Sequence, residues 1–418
     1  MITVEEHRGR ALAAFAPLPP VRVPLLRALG LVLAEDVVSS LVLPPFENSA
    51  MDGFAVRAAD VAAASDADPV VLPVLGEVAA GGGRPAALEP GTAVRIMTGA
   101  PVPPGADAVV PVEWTAGWTD GERVVVHRAA EPGAFVRAAG GDVQAGETVL
   151  RAGARLSPRH LALLAAVGCA DVAVRPAPRV VVLSTGSELV PLGQDPRYGE
   201  IHDSNGYGLT AAAAELGADA SYAGIVADEP GAVRAALEAA AASADLVLTS
   251  GGVSAGTRDT VKEVLTALGT VRFDKVAMQP GMPQGFGTIG GTPVFTLPGN
   301  PVSSMVSFEV FVRPALLAVL GVEGWQRPRV EAAATVGWSA PAGRRQYARA
   351  TLARRGDGWA VTPVGAQGSH LAADLAEATC LAVVPEDVTR VEPGDLLACD
   401  LLTSTPATGR TTWPTQVR

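Results

Sequence analysis

Apolar residues follow two rhythms along this chain. Between about residues 179 and 321, short unbroken apolar runs alternate with segments whose apolar positions recur every three or four residues. The runs at 179–183, 220–226, 246–248, 271–276 and 294–297 read as strands, the first continuous enough to be buried on both faces. The segments 205–216, 230–243, 259–268 and 302–320 read as helices. Such alternation predicts a doubly wound, mainly parallel α/β sheet, with a hairpin turning at Gly290-Gly291. In sheets of this kind ligands bind beyond the carboxyl ends of the strands.

Elsewhere the runs are shorter and punctuated by Gly and Pro. Runs at 70–74, 109–112 and 124–127 predict a small all-β insert. Those at 329–336, 346–354, 359–363, 380–384 and 396–402, with a Gly356-Asp357-Gly358 turn, predict a C-terminal β-barrel or sandwich. Thr3 and Glu6 form a capping box that opens a helix to about residue 16, where Pro17 and its neighbours stop it. A second short helix, leading to a strand, is expected over 23–38. Ser157-Pro158 starts another that ends at Gly168.

Composition narrows the class. Apolar residues are 48% of the chain and charged residues 18%, which is enough to build cores over several domains. A net charge of −11 argues against a nucleic-acid partner, so an anionic ligand must be held by local N–H groups and local cations. No uninterrupted apolar run reaches the roughly 20 residues of a membrane helix, and residues 3–8 do not resemble a signal peptide; a cytoplasmic protein is expected. Cys169, Cys380 and Cys399 are widely spaced and read as inert buried thiols, and the five scattered histidines as surface residues.

Three strand-end segments share one chemistry. They are Ser184-Thr185-Gly186-Ser187-Glu188, the stretch from Thr249 through Ser250, Gly251, Gly252 and Ser254 to Asp259, and Pro298-Gly299-Asn300-Pro301. Each sets glycine and hydroxyl residues between a buried strand and a helix start, where free N–H groups and the helix dipole favour a phosphate. Any one of them also fits an ordinary turn. Glu188, Asp203, Asp228 and Asp259 gather at the same edge, either to hold a divalent cation or to cap helices. Gly285-Phe-Gly-Thr-Ile-Gly290 matches a dinucleotide fingerprint but falls inside the hairpin and is rejected.

Two further strings, Pro45-Phe-Glu-Asn-Ser-Ala-Met-Asp-Gly-Phe-Ala55 and Arg95-Ile-Met-Thr-Gly-Ala-Pro101, read from chemistry alone as β-turns. Together with the three loops and the segment 140–146, however, they make the chain resemble the molybdopterin molybdenumtransferase family (MoeA and the C-terminal part of gephyrin) over about residues 1–404. The resemblance implies four domains: 1–45 with 141–178, a β-rich insert at 46–140, the α/β unit at 179–324, and a barrel at 325–404, with 405–418 a loose tail. It also implies a homodimer with the active site between subunits, adenylylated molybdopterin and molybdate as substrates, AMP as a product, and Mg²⁺ as cofactor. Other proteins of molybdenum cofactor biosynthesis are its expected partners.

Carried over by position, the family's site residues are Asp52, Thr98, Asp142, Glu188, Asp228, Asp259 and Lys275, with Glu188, Asp228 and Asp259 as the cation's ligands. Pro298 and Pro301 match as well, and Arg349 and Ser369 more loosely as oxyanion contacts. One departure stands out. The family reads Lys-Pro-Gly-Lys-Pro where this chain reads Gln279-Pro280-Gly281-Met282-Pro283, in a turn expected to face solvent. Lys275 is retained, and it is one of only two lysines in the chain. Arg95, Arg258 and Arg349 are the cations placed to compensate. The departure leaves two alternatives to an insertase: a carrier or regulator that binds the pterin intermediate, or an insertase for another oxyanion such as tungstate.

Overall fold

The run Arg179–Thr185 (β1) is an interior strand of a six-stranded sheet in the computed structural model, which describes residues 1–402 apart from 82, 119–121, 254–259, 269–270 and 323. The other strands are Asp219–Val226 (β2), Leu246–Ser250 (β3), Val271–Lys275 (β4), Pro283–Ile289 (β5) and Thr292–Leu297 (β6), in the order β2-β1-β3-β6-β5-β4. The first four are parallel, and β5 runs antiparallel to its neighbours β6 and β4, so the sheet is mainly parallel with one reversed strand. One face packs the helices Asn205–Glu215 and Pro301–Val319 through Leu209, Val306 and Phe311. The other packs Pro230–Ser243 and Thr260–Leu268 through Val233, Leu237 and Leu265. The predicted doubly wound architecture is observed.

The long helix Pro301–Val319 is apolar enough to cross a membrane by length and composition, but 78% of it is buried against the sheet. It widens to a π turn at Phe308–Val312, just ahead of Pro314. Proline lacks an N–H and clashes with the carbonyl four residues back, and the wider turn relieves both problems.

Distant segments join around this unit. Val21–Pro24 pairs with Asp171–Arg175, which also pairs with Val32–Leu33, and Val37–Val38 pairs with Thr148–Leu150. Residues 23–38 are therefore not the expected helix. Gly30 sits at φ 80°, the β-branched residues suit strands, and only the single turn Leu25–Ala28 is helical. The first helix is also shorter than expected, Val4–Leu12, and packs Val4 and Ala11 into the α/β core. It buries His7 to 2% exposure edge-on to Phe311, so this histidine is a core residue, not a surface one.

The insert is a five-stranded sheet in which Gly53–Val56 lies between Ala108–Pro111 and Ala93–Ile96. The C-terminal strands form a barrel that closes between Arg345–Arg355 and Cys380–Val384. Met278–Gln279 adds to its edge alongside Arg345–Arg355, so the chain between β4 and β5 is stitched to the barrel. Cys380 and Cys399 are buried in the barrel core as free thiols.

Candidate active site

All three predicted loops open into one cleft of about 660 Å³ at the carboxyl ends of β1, β3 and β6. Its wall includes Thr185, Gly186, Glu188, Asp228, Ser250, Gly251, Gly252, Pro298, Gly299, Asn300 and Pro301. Ser184 lies fully buried, one residue before Thr185. Ser254 and Asp259 fall outside the described residues, as does Arg258.

Close backbone approach explains the glycines. Gly251 adopts φ +90°, and a Cβ there would sit 2.6 Å from the Thr185 carbonyl oxygen. Gly252 adopts φ +85°, and its Cβ would lie 2.4 Å from Val261 Cβ. Only glycine takes this left-handed backbone without strain while leaving room for its neighbours. A Cβ on Gly186 would meet both Glu188 carboxylate oxygens at 2.7 Å, so that carboxylate folds back over its own loop.

Asn205, at the start of its helix, ties two of the loops together. Its Nδ2 donates to Ser250 Oγ at 2.7 Å and to the Gly299 carbonyl at 2.6 Å. Asp203 is 3% exposed and accepts from Gly206 N–H at 3.1 Å and from the Tyr222 hydroxyl at 2.6 Å. Burial and the bond to Asp203 push the Tyr222 phenol up, which keeps it a proton donor to that carboxylate. Asp203, though on the wall, is therefore engaged at the start of its helix, and Glu188 and Asp228 are the other predicted acids there. Among the described residues no group of three His, Cys, Asp or Glu side chains is placed to hold a metal ion.

The remaining predicted residues lie elsewhere. Thr98 gives both its N–H and its Oγ1–H to Asp52 Oδ1 at 2.7 Å, which holds Asp52 below the usual carboxylate range. This pair sits on the insert and does not line the cleft of its own chain, and neither do Asp142 and Lys275. The Gln279–Met282 turn is not solvent-facing as expected. Gln279 and Met282 are half-buried, Pro280 and Gly281 are buried, and Gln346 Nε2 donates to Gln279 Oε1 at 3.4 Å. The strand pairing with the barrel accounts for this.

Arg349 is likewise not an exposed oxyanion contact. It is 1% exposed, its Nη2 donates to the Ala366 carbonyl at 2.6 Å, and it lies 3.7 Å from Asp374. Ser369 does approach the cleft, since Asn300 Nδ2 donates to its Oγ at 2.8 Å. Sequence reasoning did not single out Asn205 or His370, both on the wall. Asn205 was legible only as a helix start, and His370 only as the neighbour of Ser369. No lysine or arginine lines the cleft among the described residues; its basic side chains are His202 and His370.

Residues 2–168 match the family model described as the MoeA N-terminal region (domain I and II). Residues 181–318 match the probable molybdopterin binding domain, and residues 331–401 the MoeA C-terminal region (domain IV). The chain is 45% identical over 403 residues to molybdopterin molybdenumtransferase 2 of Mycobacterium tuberculosis, covering 95% of this chain and 98% of that protein. This chain belongs to the MoeA family.

Other comparisons agree with that membership. The molybdopterin molybdenumtransferase of Haemophilus influenzae is 35% identical over 403 residues, covering 96% of this chain and 98% of that protein. The crystal structure of a molybdopterin biosynthesis MoeA protein from Pyrococcus horikoshii superposes with a TM-score of 0.83 at 33% identity, covering 97% of this chain and all of that one. Within a MoeA-family chain, the match to the molybdopterin binding domain spans all three loops of the cleft.

Proposed function

We propose that this chain is a molybdopterin molybdenumtransferase, which binds adenylylated molybdopterin in the 179–321 cleft, releases AMP and places molybdenum from molybdate on the dithiolene sulfurs. One observation carries the reading: three glycine-bearing strand ends meet the carboxylates of Glu188 and Asp228 in a single cleft large enough for a nucleotide-sized ligand.

The roles follow from local chemistry. At Gly251 and Gly252 a Cβ would clash with Thr185 and Val261, so only glycine lets this turn close on the cleft wall, and the Gly251 N–H is itself bonded to the Leu297 carbonyl at 3.0 Å. Asn205 holds two of these turns at a fixed spacing. Glu188 and Asp228 offer hard carboxylate oxygens, and a Mg²⁺ ion suits one or two such groups plus substrate phosphates. Bound there, it would offset the charge of the phosphoanhydride. Among the described residues the wall carries no lysine or arginine, and its basic side chains are His202 and His370.

Asp52 and Thr98 enter this reading through a second subunit. The insert of one protomer supplies them to the cleft of its partner in a homodimer, which accounts for a polar pair held ready on a domain that does not reach its own cleft.

Gln279 and Met282 favour a weakened oxyanion site. A charge-assisted hydrogen bond is worth about 1.5–3 kcal/mol, so each restored lysine should tighten molybdate binding about 10- to 100-fold. The decisive experiment is single-turnover AMP release from adenylylated molybdopterin with molybdate, on wild type and on the Gln279→Lys/Met282→Lys variant. Release by wild type at saturating molybdate, with a lower half-saturation in the variant, is expected. Tight pterin-nucleotide binding without AMP release from either protein would replace the reading with that of a carrier, and preferential use of tungstate with that of a different insertase.

A further inference from the structure

We infer that His370, carried on the barrel loop 364–371, is a phosphate-binding residue of the cleft. The inference rests on the reading of that cleft as a phosphate site and extends it to a part of the chain outside the α/β unit.

The loop is held at both ends. Arg349 N–H donates to Gln367 Oε1 at 3.0 Å, and Gln367 Nε2 returns bonds to the carbonyls of Arg349 at 3.3 Å and Val364 at 3.2 Å. The Arg349 guanidinium fastens the Ala366 carbonyl from beneath. At the far end, Val302 N–H donates to the Ser369 carbonyl at 3.1 Å, and Asn300 Nδ2 to its hydroxyl at 2.8 Å. Fixed backbone therefore delivers His370 to the wall beside Asn300 and Pro301. This gives Arg349 its role. It is a positioning residue that holds the loop, and the exposed side chain the loop presents is an imidazole.

Charge supplies the second argument. The described wall holds the carboxylates of Glu188, Asp203 and Asp228 and no lysine or arginine. Of its two imidazoles, His202 already has Nε2 engaged 2.8 Å from the Gln194 carbonyl. On the helix that follows the loop, Asp374 turns toward Arg349 and Gly365. A phosphate entering beside Asn300 thus finds in His370 an exposed imidazole on the wall. A neutral imidazole offers a phosphate one N–H donor and a protonated one offers two, so such a contact strengthens as pH falls.

Calorimetric titration of the full chain with AMP, and separately with inorganic pyrophosphate, tests this at about pH 6 and about pH 8. Wild type, His370→Ala and His370→Gln are compared, so the ligand's own titration cancels in the differences. Binding of both probes to His370→Ala should fall about 10- to 100-fold at the lower pH and by clearly less at the higher one. His370→Gln keeps one neutral donor and should show a smaller loss. Thermal unfolding of each variant reports whether the barrel is intact. Affinities equal to wild type, or a loss of the same size at both pH values, overturn the role of His370 while the phosphate reading stands. If wild type binds neither probe at millimolar concentration, the phosphate reading falls and the inference falls with it.

Discussion

Removing the amide of Asn205 should loosen the cleft more than its single position suggests. The side chain is 8% exposed and its Nδ2 makes two short bonds, one to Ser250 Oγ at the end of β3 and one to the Gly299 carbonyl after β6. A typical hydrogen bond nets about 0.5–1.5 kcal/mol, and leaving a buried partner unmet costs about 1–3 kcal/mol. Asn205→Ala loses both bonds and strands the Gly299 carbonyl, while the Ser250 hydroxyl can turn to another partner. We expect about 2–4 kcal/mol in total, divided between stability and binding. If all of it fell on binding, affinity would drop roughly 30- to 1,000-fold. Asn205→Asp makes a sharper test. A carboxylate only accepts, so it faces the Gly299 carbonyl with like charge and adds a negative group to a wall that already carries Glu188 and Asp228. The order of AMP affinity should be Asn, then Ala, then Asp, with chemical denaturation run with and without AMP to separate the two contributions. Wild-type affinity in Asn205→Ala would show that this side chain does not hold the loops. An Asp variant that binds as well as the Ala variant would sink the electrostatic part.

Two other outcomes follow from the geometry. Burial holds the His7 imidazole down to about 4 from its ordinary 6.5, against the opposing pull of Asp274 at 3.7 Å. The unfolded chain takes up that proton near pH 6.5 and the folded chain only near 4, so stability should fall as pH drops through this window, by about 3 kcal/mol when complete. His7→Leu should flatten the denaturation midpoint across that range; an unchanged slope would assign the acid sensitivity to other groups. For the dimer, mixing an Asp52→Ala chain with a Glu188→Ala chain should restore AMP release that neither homodimer shows, because one cleft of the mixed dimer regains both groups. Light scattering establishes the dimer, and no recovery in a proven heterodimer would mean that the insert does not serve its partner's cleft.

The chain announced its cleft better than its oxyanion residues, for a physical reason. At Gly251 and Gly252 the backbone conformation and the close contacts exclude any other residue, so function is written in the residue type itself. The same holds for the strands β1 and β3 and the helix Pro230–Ser243, whose apolar pattern and Gly/Pro boundaries agree with their burial. Residues 23–38 were misread because their partner is Asp171–Arg175, far along the chain, and a short apolar stretch carries no sign of such a pairing. Arg349 and Gln279 failed differently. A polar residue near a cleft can point into it or fasten what surrounds it, and only the fold decides. Arg349 is turned beneath its loop and Gln279 is held in a strand pair with the barrel. The two replaced lysine positions therefore lie where the α/β unit and the barrel are joined. A lysine restored at 279 must leave its ammonium either against the Gln346 side chain, which already accepts from Trp338 Nε1 at 3.0 Å, or extended past it. Restoring charge at 279 thus tests the seam between the domains as well as the anion site, and Met282→Lys, in the same turn but outside that strand pair, is the cleaner single change.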